Sequence, residues 1–211
     1  MSGQIIVISG SSGVGKGTVV SNLMSKNGEY WLSTSTTTRP KRPNEIEGVH
    51  YKFVDRAEFE RLISEHHFLE WELVYGHFYG TPGPPLEEAY RAGMKVVLEI
   101  DTKGALTVKR KMPESVLVFI LPPSVEDQIK RLRQRGQDDE DTIQQRMKSF
   151  FDELEDIQYF DYAVVNDAVE DAVTRIKDIV SSDRWRAAKQ DAIVGRLKNE
   201  YVRLFDEVKN G

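Results

Sequence analysis

The chain has 211 residues, of which 39% are hydrophobic and 30% charged, the composition of an ordinary globular protein. This length is enough for one compact domain with a sizeable core, or for one core that carries mobile inserts. The formal net charge of -5 gives no sign of binding to nucleic acid or to an anionic membrane surface. Because there are no cysteines, disulfides, thiolate zinc sites and cysteine nucleophiles are all excluded.

The N-terminus carries no sign of a targeting signal. Only four apolar residues, at positions 5–8, follow the first four residues, and no basic region precedes them. That is too little for a signal-peptide core, and no apolar stretch approaches the roughly 18 residues that cross a bilayer. With the absence of cysteine, these features predict a soluble, cytoplasmic protein that binds neither nucleic acid nor membrane.

Strands and helices alternate along most of the chain. Short apolar runs predict buried strands at residues 5–9, 95–100, 116–121 and 162–165. Segments with helical periodicity follow them at residues 17–25, 102–111, 125–133 and 168–180. This alternation predicts an α/β fold, with a parallel sheet flanked by helices on both faces. Ligands of such sheets lie beyond the carboxyl ends of the strands.

Residues 10–18 form the most specific motif of the chain. They follow a predicted strand and open a predicted helix, as the phosphate-binding motif G-x-x-x-x-G-K requires. Glycines let the backbone approach a phosphate, exposed amides at a helix N-terminus attract anions, and Lys16 adds a positive charge. A plain glycine turn is the alternative, but strand, spacing, lysine and helix coincide. The candidate ATP-binding residues of this P-loop are Gly10, Ser11, Ser12, Gly13, Val14, Gly15, Lys16, Gly17 and Thr18.

The metal-binding hydroxyl of the motif stands one position later than usual. The general motif places Ser or Thr directly after the lysine, where the hydroxyl helps to hold Mg2+; here that position is Gly17, and Thr18 carries the hydroxyl. Glu99 and Asp101, at the end of the strand predicted at 95–100, fall near the ligand crevice. One of these acids could face the metal and the other a bound base.

Residues 35–82, called the insert below, interrupt the alternation. Prolines and glycines mark turns, and short strands at 50–54 and 69–75 predict a small, mostly β unit. Arg39 and Arg42 lie three apart between prolines, so they can present two guanidinium forks to one phosphate dianion. As an isolated run they would equally be a basic surface patch, but the hydroxyl-rich residues 35–38 and the P-loop favour phosphate.

Glu70 is the candidate for recognising a base. A guanine presents N–H donors on its pairing edge, and a carboxylate, which only accepts hydrogen bonds, is their natural partner. Glu70 lies between Leu69 and Trp71, which favours burial. Alone, such a residue is more often a paired or surface acid, and Tyr51 and Tyr79 could equally be core aromatics.

Residues 126–158, called the lid below, predict a charged pair of helices broken at residues 135–138. Arg131 and Arg135 stand four apart on one helical face, and Arg146 lies on the returning helix. A solvated charged face is the alternative for each arginine taken singly. Beyond the lid, Asn166 and Asp167 follow the last predicted strand, where Asn166 could contact an adenine or cap a helix.

These motifs together resemble those of guanylate kinases, and in the same order. The residues that carry the resemblance are the Gly-Lys-Gly-Thr form of the P-loop, Arg39-Pro40-x-Arg42-Pro43, Gly48-x-x-Tyr51-x-Phe53, Phe68-Leu69-Glu70-Trp71 and Tyr79-Gly80-Thr81. The resemblance runs from the P-loop to Asp167, about the first four-fifths of the chain. Lys103 stands where the family usually has glutamine, and His77-Phe78 where Asn-Tyr is commoner.

The resemblance implies transfer of the terminal phosphoryl group of ATP to GMP, with Mg2+, on a P-loop fold that carries a GMP-binding insert and a helical lid. It implies that the GMP phosphate is held by Ser35, Arg39, Arg42, Tyr51 and Tyr79, and that the guanine is read by Glu70, Thr81 and Asp101. It also implies a catalytic set of Lys16, Arg39, Arg131, Arg135 and Arg146, with Thr18 and Glu99 as metal contacts. No general base is needed, because the second pKa of a phosphate monoester is about 6.

The predicted domain organisation follows from these segments. Residues 1–34, 83–125 and 159–182 form the P-loop core, 35–82 the GMP-binding insert, 126–158 the lid and 183–211 a C-terminal helix. The last segment has apolar residues at helical spacing, namely Ile193, Leu197, Tyr201, Leu204, Phe205 and Val208. Such a helix either packs on its own domain or forms a subunit contact in a homo-oligomer.

Two other functions are compatible with parts of this pattern. A non-catalytic guanylate-kinase-like domain would bind phosphorylated peptides, but such domains lose the ATP machinery, whereas the P-loop and the lid arginines are intact here. A kinase for another nucleotide would differ at the base, and Glu70 discriminates between the two.

Overall fold

The computed structural model describes residues 3–25, 28–136 and 139–205, and it divides the chain into two units, Met1–Ile176 and Lys177–Gly211. The strands are β1 (Gln4–Ser9), β2 (Tyr30–Leu32), β3 (Thr36–Thr37), β4 (Lys52–Phe53), β5 (Phe68–Val74), β6 (His77–Pro82), β7 (Lys95–Glu99), β8 (Val116–Leu121) and β9 (Tyr162–Val165). The α-helices are α1 (Lys16–Met24), α2 (Arg56–Ser64), α3 (Gly83–Arg91), α4 (Thr102–Lys111), α5 (Val125–Arg135), α6 (Glu140–Glu155), α7 (Val169–Ser182) and α8 (Asp191–Phe205).

The main sheet is parallel, with strand order β2-β7-β1-β8-β9. Strand β8 and the central residues 5–8 of β1 are apolar and almost wholly buried, as expected for strands that helices cover on both faces. β1 pairs with β7 on one side and with β8 on the other, so the sheet has its switch point at the end of β1, next to the P-loop. The predicted α/β fold, its four strands and the helices that follow them are confirmed.

A second sheet, of order β4-β3-β6-β5, forms the insert. β3 pairs parallel with β4 and antiparallel with β6, and β5 and β6 form a hairpin. Helix α2 covers this sheet through Phe59, whose ring stacks on Phe68 at 4.6 Å and on Phe78 at 5.2 Å between centroids. Together with Leu62, these rings form a small core of the insert's own.

The sequence missed helices α2 and α3. The turn signals of the insert obscured α2, although Asp55 accepts a hydrogen bond from the amide of Glu58 at 2.8 Å, which is half of a capping box. The strand predicted at 50–54 is shorter, Lys52–Phe53. The strand predicted at 69–75 is Phe68–Val74, which leaves Tyr75 in the turn.

The predicted C-terminal segment begins with two short 3-10 helices, Asp183–Trp185 and Ala187–Lys189, before α8 starts at Asp191. The helix therefore begins later than the predicted segment 183–211. The side chains of Leu204 and Phe205, the whole of Val208, and Gln137 and Asp138 at the predicted break in the lid lie outside the described residues. None of the helices in the described ranges combines the length and apolar character needed to cross a bilayer.

Replacing Gly80 with alanine is expected to destabilise the insert. An added Cβ would lie 2.9 Å from the Phe68 ring and 3.0 Å from the Phe59 ring, and overpacking of this kind costs about 1–3 kcal/mol. Gly83→Ala is the matched control, because its Cβ would meet neighbours only at 3.4 Å and beyond and alanine suits the start of α3. Urea unfolding should show a lower free energy for Gly80→Ala alone, and equal values for the two variants would contradict the packing argument.

Candidate active site

The P-loop joins β1 to α1, and its glycines at positions 10, 13 and 15 have positive φ. Gly15 shows most clearly why glycine is needed. Gly15 precedes the first residue of α1 with φ of 92°, in the left-handed region. A Cβ there would lie 2.5 Å from the side-chain nitrogen of Asn166. Position 15 therefore requires glycine for two independent reasons, backbone conformation and close approach of Asn166.

Lys16 lies inside the curve of the P-loop. Its ammonium donates hydrogen bonds to the carbonyls of Gly10 and, at 3.0 Å, Ser11. Burial lowers the pKa of the Lys16 amine, while the nearby Glu99 carboxylate opposes that change. A half-buried cation inside a glycine-rich loop is suited to binding anionic phosphate oxygens.

Side chains from the lid and from the end of β9 hold the outer face of the P-loop. The Arg131 guanidinium donates to the carbonyls of Val14 at 3.2 Å and Asn166 at 3.0 Å. The Asn166 side chain is buried and donates to the same Val14 carbonyl at 2.8 Å. Asn166 is thus hydrogen-bonded to the P-loop. The next residue, Asp167, accepts a hydrogen bond through its carboxylate from the backbone amide of Ala168 at 2.9 Å.

Helix α6 reaches the P-loop through Arg146, which donates to the Ser12 hydroxyl at 2.6 Å. Helix α5 adds Gln128, which is fully buried and donates to the Ser12 carbonyl at 2.8 Å. Two of the predicted lid arginines, Arg131 and Arg146, therefore contact the phosphate-binding motif. Gln128 was missed, because glutamine in a charged helix gives no signal of burial.

A cavity of about 230 Å³ separates the P-loop from the insert. Half of the predicted site residues line it, namely Ser12, Lys16, Ser35, Arg39, Arg42, Tyr51, Glu70, Tyr79, Glu99, Asp101 and Arg146. A second cavity, of about 340 Å³, is lined by Gly13, Gly15, Thr18, Arg131, Gln134, Arg135, Asn166, Asp167 and Val169. The two cavities share no lining residue. The predicted residues Gly10, Ser11, Val14, Gly17 and Thr81 line neither of them.

Arg39 is held from several sides at the insert end of the first cavity. Its guanidinium forms a two-pronged ion pair with Glu45, at 3.1 and 2.6 Å, and its Nε donates to the Tyr79 hydroxyl at 3.1 Å. The Tyr51 ring lies 5.5 Å from the guanidinium carbon. Burial alone would raise the pKa of Glu45, but the hydrogen bonds from Arg39 and from the Arg42 amide lower it overall.

Glu45 is a site residue that the sequence analysis missed. It accepts from Arg39 and, at 2.8 Å, from the backbone amide of Arg42, so it fixes the loop that carries both arginines. The Arg-Pro-x-Arg-Pro run signalled a basic cluster, and the acid three residues after Arg42 was the only sign of a partner.

Glu70 is buried, with 5% of its surface exposed, and accepts a hydrogen bond from the Thr81 hydroxyl on the neighbouring strand. Burial raises the pKa of Glu70 to about 7, against the effect of the Thr81 hydrogen bond and with support from the negative charge of Asp101. Gly104 of α4 packs closely, since a Cβ there would lie 2.7 Å from a Glu70 oxygen. Asp101 caps α4 by accepting from the Gly104 amide at 2.7 Å and also lines the cavity.

Glu99 ends β7 opposite the start of α1. Burial raises the pKa of its carboxyl, and the charges of Lys16 and Arg135 oppose that change. A Cβ on Gly17 would lie 3.5 Å from a Glu99 oxygen, so the carboxylate faces the position where the general motif has its metal-binding hydroxyl. Thr18 lines the second cavity instead.

Glu153 is a further missed residue, seven positions after Arg146 on α6 and therefore on the same helical face. Burial raises the pKa of Glu153 to about 7, while the charge of Lys16 lowers it. Lys103, which departs from the family pattern, is exposed and lines a neighbouring cavity with Tyr75, Ser149 and Asp152 rather than the one that holds Glu70.

The buried Glu70 should make stability depend on pH. Its pKa is 4.5 when unfolded and about 7 when folded, so the folded state binds more protons between these values and stability falls as the pH rises through them. From pH 5 to pH 8, the unfolding free energy of the wild type should decline relative to Glu70→Gln by on the order of 2–3 kcal/mol.

Urea unfolding at both pH values measures this difference. Glu88→Gln, which removes an exposed glutamate of α3, should follow the wild type. If Glu70→Gln also runs parallel to the wild type across this range, Glu70 is ionised in the folded protein at both pH values.

Comparisons with known proteins agree with the residue-level resemblance. The family model described as guanylate kinase matches residues 2–183. A guanylate kinase of Carboxydothermus hydrogenoformans is 46% identical over 184 residues, which cover 87% of this chain and 90% of that protein. A guanylate kinase of Clostridium acetobutylicum is 47% identical over 200 residues, covering 95% of this chain and 92% of that protein.

A solved structure shows the same similarity in three dimensions. The crystal structure of a guanylate kinase from Anaplasma phagocytophilum superposes with a TM-score of 0.75 at 34% sequence identity, covering 89% of each chain.

Proposed function

This chain belongs to the guanylate kinase family, and we propose that its first cavity binds GMP while the P-loop and the second cavity bind ATP. The enzyme is an ATP:GMP phosphotransferase, which transfers the terminal phosphoryl group of ATP to GMP and forms ADP and GDP. The observation that carries the assignment of the cavities is that one cavity is lined by the buried Glu70, which accepts from Thr81, by two arginines of the insert and by residues of the P-loop.

We propose that Arg39 and Arg42 bind the GMP phosphate, with Ser35, Tyr51 and Tyr79 as hydroxyl partners. The support is that all five side chains line one cavity and that Arg39 is already oriented by Tyr79 and Glu45. Two guanidinium groups match the geometry and the charge of a phosphate dianion. Glu45 positions both arginines, because it accepts from the Arg39 guanidinium and from the Arg42 amide.

The guanine is proposed to bind at Glu70, Thr81 and Asp101. Guanine has N–H donors where adenine has only one amino group and an acceptor, so two carboxylates favour guanine strongly. Reading these donors requires ionised Glu70. Hydrogen bonds from the base would lower the raised pKa of the buried carboxyl, so GMP binding should be coupled to proton release near neutral pH.

At the ATP end, we propose that residues 10–18 cradle the phosphates and that Asn166 and the second cavity receive the nucleoside. Arg131, Arg135 and Arg146 would spread the charge of the transferring group, supported by the contacts of Arg131 and Arg146 with the P-loop and by the proximity of Arg135 to Lys16. The charge on the reacting phosphates is otherwise neutralised by Lys16 and Arg39. These five cations are the proposed catalytic residues.

Enzymes of this family use a divalent metal ion with ATP, and we propose Mg2+. In the described ranges, no group of three or more acids and histidines is arranged to hold a metal by itself, which suits an ion that is bound mainly by phosphates, water and one or two carboxylates. Glu99 fits the carboxylate role because it faces Gly17; Thr18, in the other cavity, is the weaker candidate. Bound there, the ion would neutralise charge on the phosphates of ATP.

The chain itself supplies alignment and charge rather than a base. GMP is largely ionised at neutral pH, because the second pKa of a phosphate monoester is about 6. Arg39 and Arg42 would hold the acceptor oxygen in line with the phosphates that the P-loop holds, and the cations would stabilise the charge of the transfer. The insert and the lid would exclude water, which is the competing acceptor.

Our proposed domain assignment keeps the ranges given above: the P-loop core, the insert at 35–82, the lid at 126–158 and the C-terminal segment at 183–211. A homo-oligomer through α8 is supported by the exposure of Ile193, Leu197 and Tyr201 at helical spacing. We also propose that the enzyme works in the cytoplasm on small-molecule substrates.

A coupled assay of ADP production, with ATP and Mg2+ and one monophosphate at a time, tests the base assignment. The wild type should use GMP at least about 10⁴-fold better than AMP, UMP or CMP, the discrimination typical of a hydrogen-bonding site. Glu70→Gln should lose most of that preference, because an amide presents a donor to the donors of guanine. Glu88→Gln serves as the control, and an unchanged GMP rate in Glu70→Gln would exclude Glu70 as the base-reading group.

Replacing Arg39 or Arg42 with alanine should raise the KM for GMP about 10- to 100-fold, the effect of losing one charge-assisted hydrogen-bonding group. The KM for ATP should change by less than about threefold, and Lys41→Ala, an exposed cation between them, should change neither. Because Arg39→Ala leaves Glu45 without its ion-pair partner, the double variant with Glu45→Ala separates repulsion by that acid from loss of the arginine. A GMP response that survives in both arginine variants argues against the phosphate site.

A further inference from the structure

The hairpin between β5 and β6 turns through Tyr75 and Gly76. Val74 pairs with His77, so Tyr75 and Gly76 form the whole loop. Both loop residues have positive φ, 48° for Tyr75 and 81° for Gly76. Two left-handed residues in a two-residue hairpin are those of a type I′ turn, whose first position favours asparagine, aspartate or glycine. A bulky side chain in this conformation is an outlier that costs free energy.

Burial does not explain the choice of tyrosine. The residue is 56% exposed, so the burial of its side chain offsets little of the free energy that its backbone conformation costs. What Tyr75 does make are two contacts with helix α6 of the lid. Its hydroxyl lies 3.2 Å from the Ser149 hydroxyl, as donor in a hydrogen bond, and its ring lies 5.7 Å from the guanidinium carbon of Arg146.

Arg146 connects this contact to the phosphate-binding motif. The same guanidinium donates to the Ser12 hydroxyl at 2.6 Å, and both Arg146 and Tyr75 line the first cavity. Tyr75 also lines the neighbouring cavity that contains Ser149. The ring therefore stands where the tip of the insert, the lid and the P-loop come together.

We propose that Tyr75 is a positioning residue for the phosphoryl transfer: it docks the tip of the insert on α6 and holds the Arg146 guanidinium at the P-loop. This rests on the proposed function, in which the insert carries GMP and Arg146 faces the phosphates of ATP. A cation beside an aromatic ring is held by the ring quadrupole while its N–H groups stay available for other acceptors. The contact thus couples the position of the GMP-binding insert to that of a catalytic arginine.

Tyr75→Asn separates this role from a structural one, because asparagine suits the turn better than tyrosine. We expect a melting temperature equal to or above that of the wild type, and a kcat for GMP-dependent ADP production about tenfold lower, the effect of losing one cation–π contact and one hydrogen bond. The KM for ATP should stay within about twofold, since the P-loop keeps its other partners. Tyr159→Asn, the same change at a tyrosine that is 58% exposed, is the matched control.

Two further variants keep the test decisive if Tyr75→Asn folds poorly. Tyr75→Phe keeps the ring and should retain a kcat within about threefold of the wild type, whereas Tyr75→Leu keeps only apolar bulk and should lose about as much as Tyr75→Asn. Ser149→Ala should have no additional effect in the Tyr75→Phe background, because both changes remove the same hydrogen bond.

The outcomes distinguish this inference from the proposed function. A wild type that produces no ADP with GMP would refute the function itself. A wild type that is active while Tyr75→Asn, or Tyr75→Leu compared with Tyr75→Phe, shows the same kcat would overturn the role of Tyr75 alone. A fall in the melting temperature that accounts for the whole loss of activity would also overturn it, since the residue would then only support the fold.

Discussion

The site depends on one constraint, that the P-loop carbonyls must find donors while its backbone curves to receive phosphate. A buried carbonyl without a partner is costly, and this loop has its partners in three separate segments: the motif itself, helix α5 and the residue that follows β9. Lys16, within the motif, donates to the carbonyls of Gly10 and Ser11. Gln128 donates to the carbonyl of Ser12. Arg131 and Asn166 both donate to the carbonyl of Val14. The loop shape is thus a tertiary property, and the residues that fix it lie at the ends of strands or on lid helices that also face the cavities.

Burial of carboxylates is the second determinant of the site. Glu70, Glu99 and Glu153 all have raised pKa values because they are removed from water, and their environments divide their roles. Glu70 accepts one hydrogen bond from the Thr81 hydroxyl and packs against Gly104. In the proposed function, the N–H groups of guanine supply further donors to its ionised form. Glu99 and Glu153 lie near Lys16, whose positive charge stabilises their ionised forms. The raised pKa values of Glu70 and Glu153, both about 7, let modest changes in the surroundings alter the charge of the site.

Much of this arrangement was predictable because it is encoded locally. The P-loop has its own spacing, β1 and β8 are continuous apolar runs, and Glu70 sits between large apolar neighbours, so these features require no knowledge of distant contacts. Glu45, Gln128 and Glu153 were missed because their importance comes from partners elsewhere, such as Arg39 for Glu45 or Ser12 for Gln128. Tyr75 was placed in a strand because aromatic residues favour strands, and only the backbone of the folded hairpin shows the conflict.

That conflict bears on how the proposed mechanism, in which the chain supplies alignment and charge, favours GMP over water. Alignment and charge act on any acceptor that reaches the ATP phosphates, so selectivity depends on completing the cationic site only when the acceptor is in place. The first cavity is lined from the P-loop, the insert, the end of β7 and α6, which are distant in sequence and must come together. Backbone strain is retained where the surroundings over-determine it, and at Tyr75 the surroundings are Ser149 and Arg146 of the lid. The cavity must be assembled from these distant segments at the same time. Such a requirement would favour a strained turn that contacts an arginine at the P-loop over a relaxed turn that makes no contact with the lid.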